Sequence, residues 1–184
     1  MEAIKTDIEG IFILKPRIFK DARGYFFESY SKRDFKESTG LDIDFVQDNE
    51  SCSSKGVIRG LHFQKPPYSQ SKLVRCVKGK VLDIALDIRK DSSSYGKYIA
   101  VELTEENKLE FFIPKGFAHG FAVLSDVAVF QYKCDEYYHP ESEGGIDPFD
   151  TELNIDWQTL LDNAIVSEKD TRHPKFAEFV TPFV

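Results

Sequence analysis

The sequence contains no apolar run approaching the roughly 20 residues that a membrane-spanning helix needs. Its first ten residues, MEAIKTDIEG, have no signal-peptide core, which predicts no secretory leader. Only three cysteines occur, Cys52, Cys76 and Cys134, and none forms a C-x-x-C pair. A sparse, odd count predicts reduced thiols and a cytoplasmic location. An excess of positive charge is also missing. The formal net charge is −7, so nucleic acid is a poor candidate partner, and the lysines and arginines are better matched to a local anionic ligand. No repeat, low-complexity tract or linker breaks the 184 residues, which predicts one domain over 1–184. Among the four histidines, His62, His119, His139 and His173, no H-x-H or H-x-x-x-H pair occurs. The expectation is no catalytic metal. No elbow motif surrounds a serine or cysteine, so a nucleophilic triad has little support.

What is present is strand chemistry. Sixteen Phe and eight Tyr favour sheets over helices. Short alternating runs recur every 8–12 residues with turns between them, which predicts an antiparallel sandwich or barrel. The expected strands cover Gly10–Lys15, Tyr25–Tyr30, Phe45–Glu50, Val57–Gln64, Lys72–Val77, Val81–Arg89, Lys97–Leu103, Leu109–Ile113, Phe117–Leu124 and Val127–Cys134. Glu105-Glu106-Asn107 is read as a hairpin turn whose return strand is Leu109–Ile113. Ser31–Ser38 is the clear early helix, with Ser31 as cap and Asp34 three residues on. Leu153–Leu161 and Pro174–Phe179 are expected as short helical pieces. In Val81–Arg89, Leu82, Ile84, Leu86 and Ile88 make one face, and Val81, Asp83, Ala85 and Asp87 the other. A greasy face backed by small and acidic residues suits a sandwich with a polar interior pocket.

The densest chemistry lies in Gly56–Lys80, GVIRGLHFQKPPYSQSKLVRCVKGK. Strict alternation sets Arg59 and His62 on opposite faces, but Gly60 between them is a candidate bulge that would turn both into one cavity. On residues alone, His62 is either a satisfied histidine or a base, Tyr132 a core tyrosine or an acid, and Lys72 a strand-end charge or an oxyanion stabiliser. Asp83 with His119 is either an orienting pair or two unrelated polar groups. A metal-free acid/base site needs a base, an acid and a cation, and these residues supply the types.

Several segments then resemble one family in order along nearly the whole chain. They include Asp21-Ala22-Arg23-Gly24-Tyr25-Phe26, Phe45-Val46-Gln47-Asp48-Asn49, Arg59-Gly60-Leu61-His62-Phe63-Gln64 and Ser71-Lys72-Leu73-Val74-Arg75. Ile113-Pro114-Lys115-Gly116-Phe117-Ala118-His119-Gly120-Phe121, Tyr132-Lys133-Cys134 and Ser167-Glu168-Lys169-Asp170 continue the series. The chain resembles the dTDP-4-dehydrorhamnose 3,5-epimerases, metal-free sugar-nucleotide epimerases of cupin fold, a jelly-roll β-sandwich. The resemblance implies epimerisation at C3 and C5 of dTDP-4-keto-6-deoxyglucose, without nicotinamide or another cofactor. It implies His62 as base oriented by Asp170, Tyr132 as proton donor, and Lys72 beside the sugar carbonyl with His119 in the pocket. It assigns substrate contacts to Arg23, Phe26, Glu28, Gln47, Asn49, Arg59, Tyr138, Glu143 and Lys169. It also implies a homodimer in which an N-terminal arm, residues 1–30, carries Arg23, Phe26 and Glu28 to the partner's site. One departure stands at Gly145-Ile146-Asp147-Pro148-Phe149-Asp150, where relatives carry a Trp-Asn-Asp-Pro pattern; this loop is expected to border the nucleotide site. Rival readings are epimerisation at one carbon, a non-catalytic sugar-nucleotide-binding cupin, and a ketoisomerase on the same scaffold.

Overall fold

The computed structural model describes residues 1–159 and 163–184. Two antiparallel sheets face each other. The first runs in the order β1 (Glu2–Lys5), β2 (Phe12–Lys15), β10 (Glu110–Ile113), β7 (Lys72–Lys78), β12 (Val127–Cys134), β5 (Gln47–Ser54). The second runs β13 (Glu143–Gly145), β6 (Ile58–Gln64), β11 (Phe117–Val123), β8 (Lys80–Asp87), β9 (Tyr98–Thr104). A separate hairpin, β3 (Phe19–Asp21) with β4 (Gly24–Phe26), belongs to neither. The architecture is the antiparallel sandwich that the alternating runs imply, and it has the cupin-type jelly-roll form that the family resemblance implies.

Period-2 alternation sorts the core. Val74, Cys76, Phe111, Phe117, Phe121 and Phe130 point between the sheets. The outer face of the second sheet, with Leu61, Leu82, Ile84 and Leu86, is covered by the C-terminal segment through Ile155, Trp157 and Phe179. The outer face of the first sheet, with Leu14, Leu73 and Phe112, is covered by α1 (Lys32–Thr39) and the segment after it. Ser31 caps α1 by accepting the Asp34 N–H at 3.4 Å, and Gly40 ends it at φ 78°, donating to the Lys36 carbonyl at 2.8 Å. Phe35, the buried residue of that helix, meets Phe45 and Phe112 edge-on at 5.7 and 5.3 Å.

Five sequence expectations are corrected. The Glu105–Asn107 turn does not close a hairpin: β9 pairs with β8, and β10 pairs with β2 and β7 in the other sheet. The Asn107 Oδ1 accepts the Thr104 and Leu109 N–H groups, and Lys108 adopts φ 55°, which turns the chain across the sandwich. The strand expected from Phe45 starts only at Gln47, and Phe45 packs outside against Tyr30 and Phe35. Residues 153–159 run as turns and extended chain rather than helix, and the remainder of that expected piece lies outside the described residues. The second helical expectation reduces to one 3-10 turn, Phe176–Glu178. The strand expected over Tyr25–Tyr30 shortens to Gly24–Phe26.

Candidate active site

The Gly60 bulge decides the geometry of the site. Between β11 and β6, His119 faces His62 while Phe121 faces Arg59, so three residues on β6 span two on β11. The extra residue restores Arg59 and His62 to one side, toward the interior. Glycine is required here: at φ 125°, a Cβ on Gly60 would come within 2.5 Å of the Gly120 Cα. Leu61 and Phe63 stay in the apolar layer behind the strand.

The interior holds a cavity of about 750 Å³ lined by Arg59, His62 and His119 from the second sheet and by Asn49, Lys72 and Tyr132 from the first. A second hollow of about 310 Å³ shares His62, Lys72, Tyr132 and Asn49 with it and adds Gln47, Tyr138 and Glu143. His62 and Tyr132 therefore come from opposite sheets and line the same space. The Lys72 ammonium sits 5.8 Å from the Tyr132 ring centre.

His62 Nε2 lies 2.7 Å from Asp170 Oδ1, and the other Asp170 oxygen accepts the Gly60 N–H at 3.3 Å. Burial works to raise the Asp170 pKa, but hydrogen bonds from His62, Gly60 and Ser167 outweigh it and hold the carboxyl below its usual range. Asp170 opens a 3-10 turn, Asp170–Arg172, and the Ser167 hydroxyl accepts its backbone N–H at 3.1 Å. His119 Nε2 meets both oxygens of the fully buried Asp83 at 3.0 Å. Burial lowers the His119 pKa and raises that of Asp83. Desolvation likewise lowers the Lys72 pKa and raises that of Tyr132, which keeps the phenol a proton carrier at neutral pH.

Around the mouth, Arg59 Nε donates to Ser53 Oγ at 3.1 Å, and Gln47 Nε2 donates to Asn49 Oδ1 at 3.0 Å. Tyr138 donates to Glu143 Oε2 at 2.9 Å, and Lys169 pairs with the other Glu143 oxygen. Burial works against the Glu143 charge, but Lys169 and Tyr138 keep its pKa low.

Arg23, Phe26 and Glu28 are not brought to this cavity. They are exposed on or beside the β3–β4 hairpin, where Arg23 pairs with Asp21 at 2.6 Å and Phe26 is 68% exposed. The Gly145–Asp150 loop does not line the cavity either, contrary to expectation. It packs behind β6, with the Ile146 N–H bonded to the Leu61 carbonyl, Ile146 buried, and the Pro148 carbonyl accepting the Trp157 indole N–H at 2.8 Å. Sequence reasoning missed Ser53 and Ser167. The S-x-x-D spacing of Ser167 to Asp170 is a cap signature that pointed to the second of these.

The family model for dTDP-4-dehydrorhamnose 3,5-epimerase matches residues 5–178. The chain belongs to the dTDP-4-dehydrorhamnose 3,5-epimerase family. A family member from Escherichia coli (strain K12) is 53% identical over 172 residues, 94% of this chain and 92% of that protein. The crystal structure of the Elizabethkingia anophelis NUHP1 epimerase superimposes with TM-score 0.92 at 50% identity, covering 97% of both chains. An epimerase from Legionella pneumophila Philadelphia 1, in complex with dTDP-4-keto-L-rhamnose, superimposes with TM-score 0.93 at 45% identity, covering 97% of this chain and 94% of that one. In this epimerase fold, the polar cavity between the sheets is the candidate active site.

Proposed function

We propose that this isomerase inverts C3 and C5 of dTDP-4-keto-6-deoxyglucose, giving dTDP-4-keto-rhamnose for rhamnose biosynthesis. The observation that carries the reading is His62 and Tyr132 lining one cavity from opposite sheets, with Lys72 on β7, the strand paired with the β12 of Tyr132. The C4 ketone acidifies the protons on C3 and C5. His62, oriented by Asp170, removes one of them, and the electron pair moves onto the carbonyl oxygen as an enolate. Lys72 stabilises that oxyanion, a role worth about 3–4 kcal/mol in comparable sites. Tyr132 returns a proton from the other face, which inverts the carbon without net redox change. His119, fixed by Asp83, supports the pocket wall. Gln47, Asn49, Arg59, Tyr138, Glu143 and Lys169 hold the nucleotide and diphosphate.

The exposed hairpin supports a homodimer. Phe19, Tyr25 and Phe26 are large apolar side chains left 49–68% exposed on a two-stranded ribbon, which is marginal by itself. In our reading the ribbon crosses to a second copy, where Arg23, Phe26 and Glu28 complete the partner's nucleotide site. Cytoplasmic operation is supported by three free cysteines. No helix among the described residues is long and apolar enough to cross a membrane.

The test is proton exchange in heavy water with purified protein and dTDP-4-keto-6-deoxyglucose. Deuterium at both C3 and C5 is the expected result. Label at C3 alone would reduce the activity to a one-carbon epimerisation, and no label would leave only sugar-nucleotide binding.

A further inference from the structure

The carboxylate that orients His62 has a second imidazole against it. His173 follows the Asp170–Arg172 turn, and its ring stands edge-on to His62 with centroids 5.7 Å apart. Its Nε2 is 3.8 Å from Asp170 Oδ1, shut off from solvent, and without a hydrogen-bond partner. Gly145 leaves room for it, since a Cβ there would come within 2.3 Å of that nitrogen. A buried ring nitrogen that has lost water and gained no partner is destabilising. A cation accepted by its lone pair would remove that cost.

Among the described residues, His62, Asp170 and His173 are the group of three ligating side chains whose donor atoms all lie within 4.8 Å of one another. Donors about 2.0–2.1 Å from a tetrahedral zinc ion stand roughly 3.3–3.5 Å apart. The His173–Asp170 separation of 3.8 Å is close to that spacing. The His62–Asp170 contact of 2.7 Å is shorter, so it must open by roughly 0.6 Å to admit the ion. Two imidazoles and one carboxylate suit zinc and its neighbours rather than magnesium or calcium. The nearby Lys169 ammonium is already paired with Glu143, which offsets its charge toward the site.

We infer that His62, Asp170 and His173 form an inhibitory site for a divalent transition-metal ion of the zinc type. The inference rests on the reading of His62 as the base. With Nε2–H donated to Asp170, the His62 lone pair is on Nδ1, available to substrate. An ion bound to Nε2 replaces the proton there and takes the Asp170 oxygen as well, and the displaced proton moves through solvent to Nδ1. The imidazole stays neutral, but its basic nitrogen is capped and its orienting hydrogen bond is gone.

The experiment uses the full chain freed of metal with a chelator. Zinc binding is measured by equilibrium dialysis, coordination by the visible absorption of cobalt(II) added in its place, and turnover in parallel. One zinc ion per chain is expected, with turnover falling at least tenfold at saturation and returning on chelation. His173→Ala and His173→Phe, the second keeping a ring without nitrogens, should retain metal-free turnover and weaken zinc binding and inhibition together by about tenfold or more. Absence of stoichiometric binding, or equal binding by the variants and the parent, would overturn the site. Zinc that binds through His173 yet leaves turnover intact would overturn the inhibition. The separate loss or survival of turnover in metal-free His62→Ala tells whether the role of His62 failed instead.

Discussion

Glu110 is 1% exposed, and neither of its carboxylate oxygens has a hydrogen-bond partner. It lies on the outer face of β10, opposite Arg75 in register and beside a hollow of about 260 Å³. The two nearest cations are engaged elsewhere, Arg75 with Gln131 at 3.0 Å and Lys133 with Asp48 at 2.8 Å. Burial pushes the Glu110 pKa to about 8, with Arg75 and Lys133 opposing only part of that rise. The folded protein therefore keeps a proton that the unfolded chain releases near pH 4.5. Stability contributed by this group is fully present below pH 4.5 and is lost as pH rises through about 8. At about 1.4 kcal/mol per pKa unit, and allowing water into the hollow, the loss is about 3–5 kcal/mol. Glu110→Gln keeps the shape and removes the titration. Urea unfolding at fixed protein concentration should give nearly equal stabilities at pH 5, with the variant ahead by about 3–5 kcal/mol at pH 9. A difference between the two proteins that stays constant over that range would refute the assignment of a neutral, buried Glu110.

His62→Ala should lower kcat by at least about a hundredfold, the lower end for losing a general base, and near-normal turnover would remove His62 from the mechanism. Tyr132→Phe should still wash deuterium into the sugar while failing to complete inversion; full product formation by NMR would clear Tyr132 of the acid role. Asp170→Asn keeps the Gly60 contact but removes a charge-assisted hydrogen bond worth about 1.5–3 kcal/mol, so kcat should fall roughly 10–150-fold, and a change within twofold would sink the orienting role. Gly60→Ala drives a methyl into the Gly120 backbone and should destabilise by about 2–3 kcal/mol, lowering Tm by roughly 5–10 °C. An unchanged melt would mean the bulge tolerates a side chain.

The strand content was legible because alternation is local. Leu82, Ile84, Leu86 and Ile88 had to face away from Asp83 and Asp87 in any extended chain, and they do. Ser31 and Asp34 marked the start of α1 for the same reason, since a cap acts within one turn. The motif residues His62, Lys72 and Tyr132 could be named as chemistry, because their side chains limit what protons and charges they can handle. Which sheet received β10 could not be read from Glu105–Asn107, because a turn does not record what its second arm will pair with. The loss of Phe45 from the start of β5 is similar: it packs on Phe35 and the cluster that holds Phe112, a placement its neighbours in sequence do not specify.

By itself, then, the chain determined its periodicities, its breaks and its stock of acids and bases, all of which depend on neighbours a few residues away. Tertiary structure alone decided that His62 meets an aspartate 108 positions later, that His173 crowds the same carboxylate, and that Glu110 is left dry. Those outcomes depend on which surfaces exclude water from one another, and water is excluded only once the two sheets and the C-terminal segment close together.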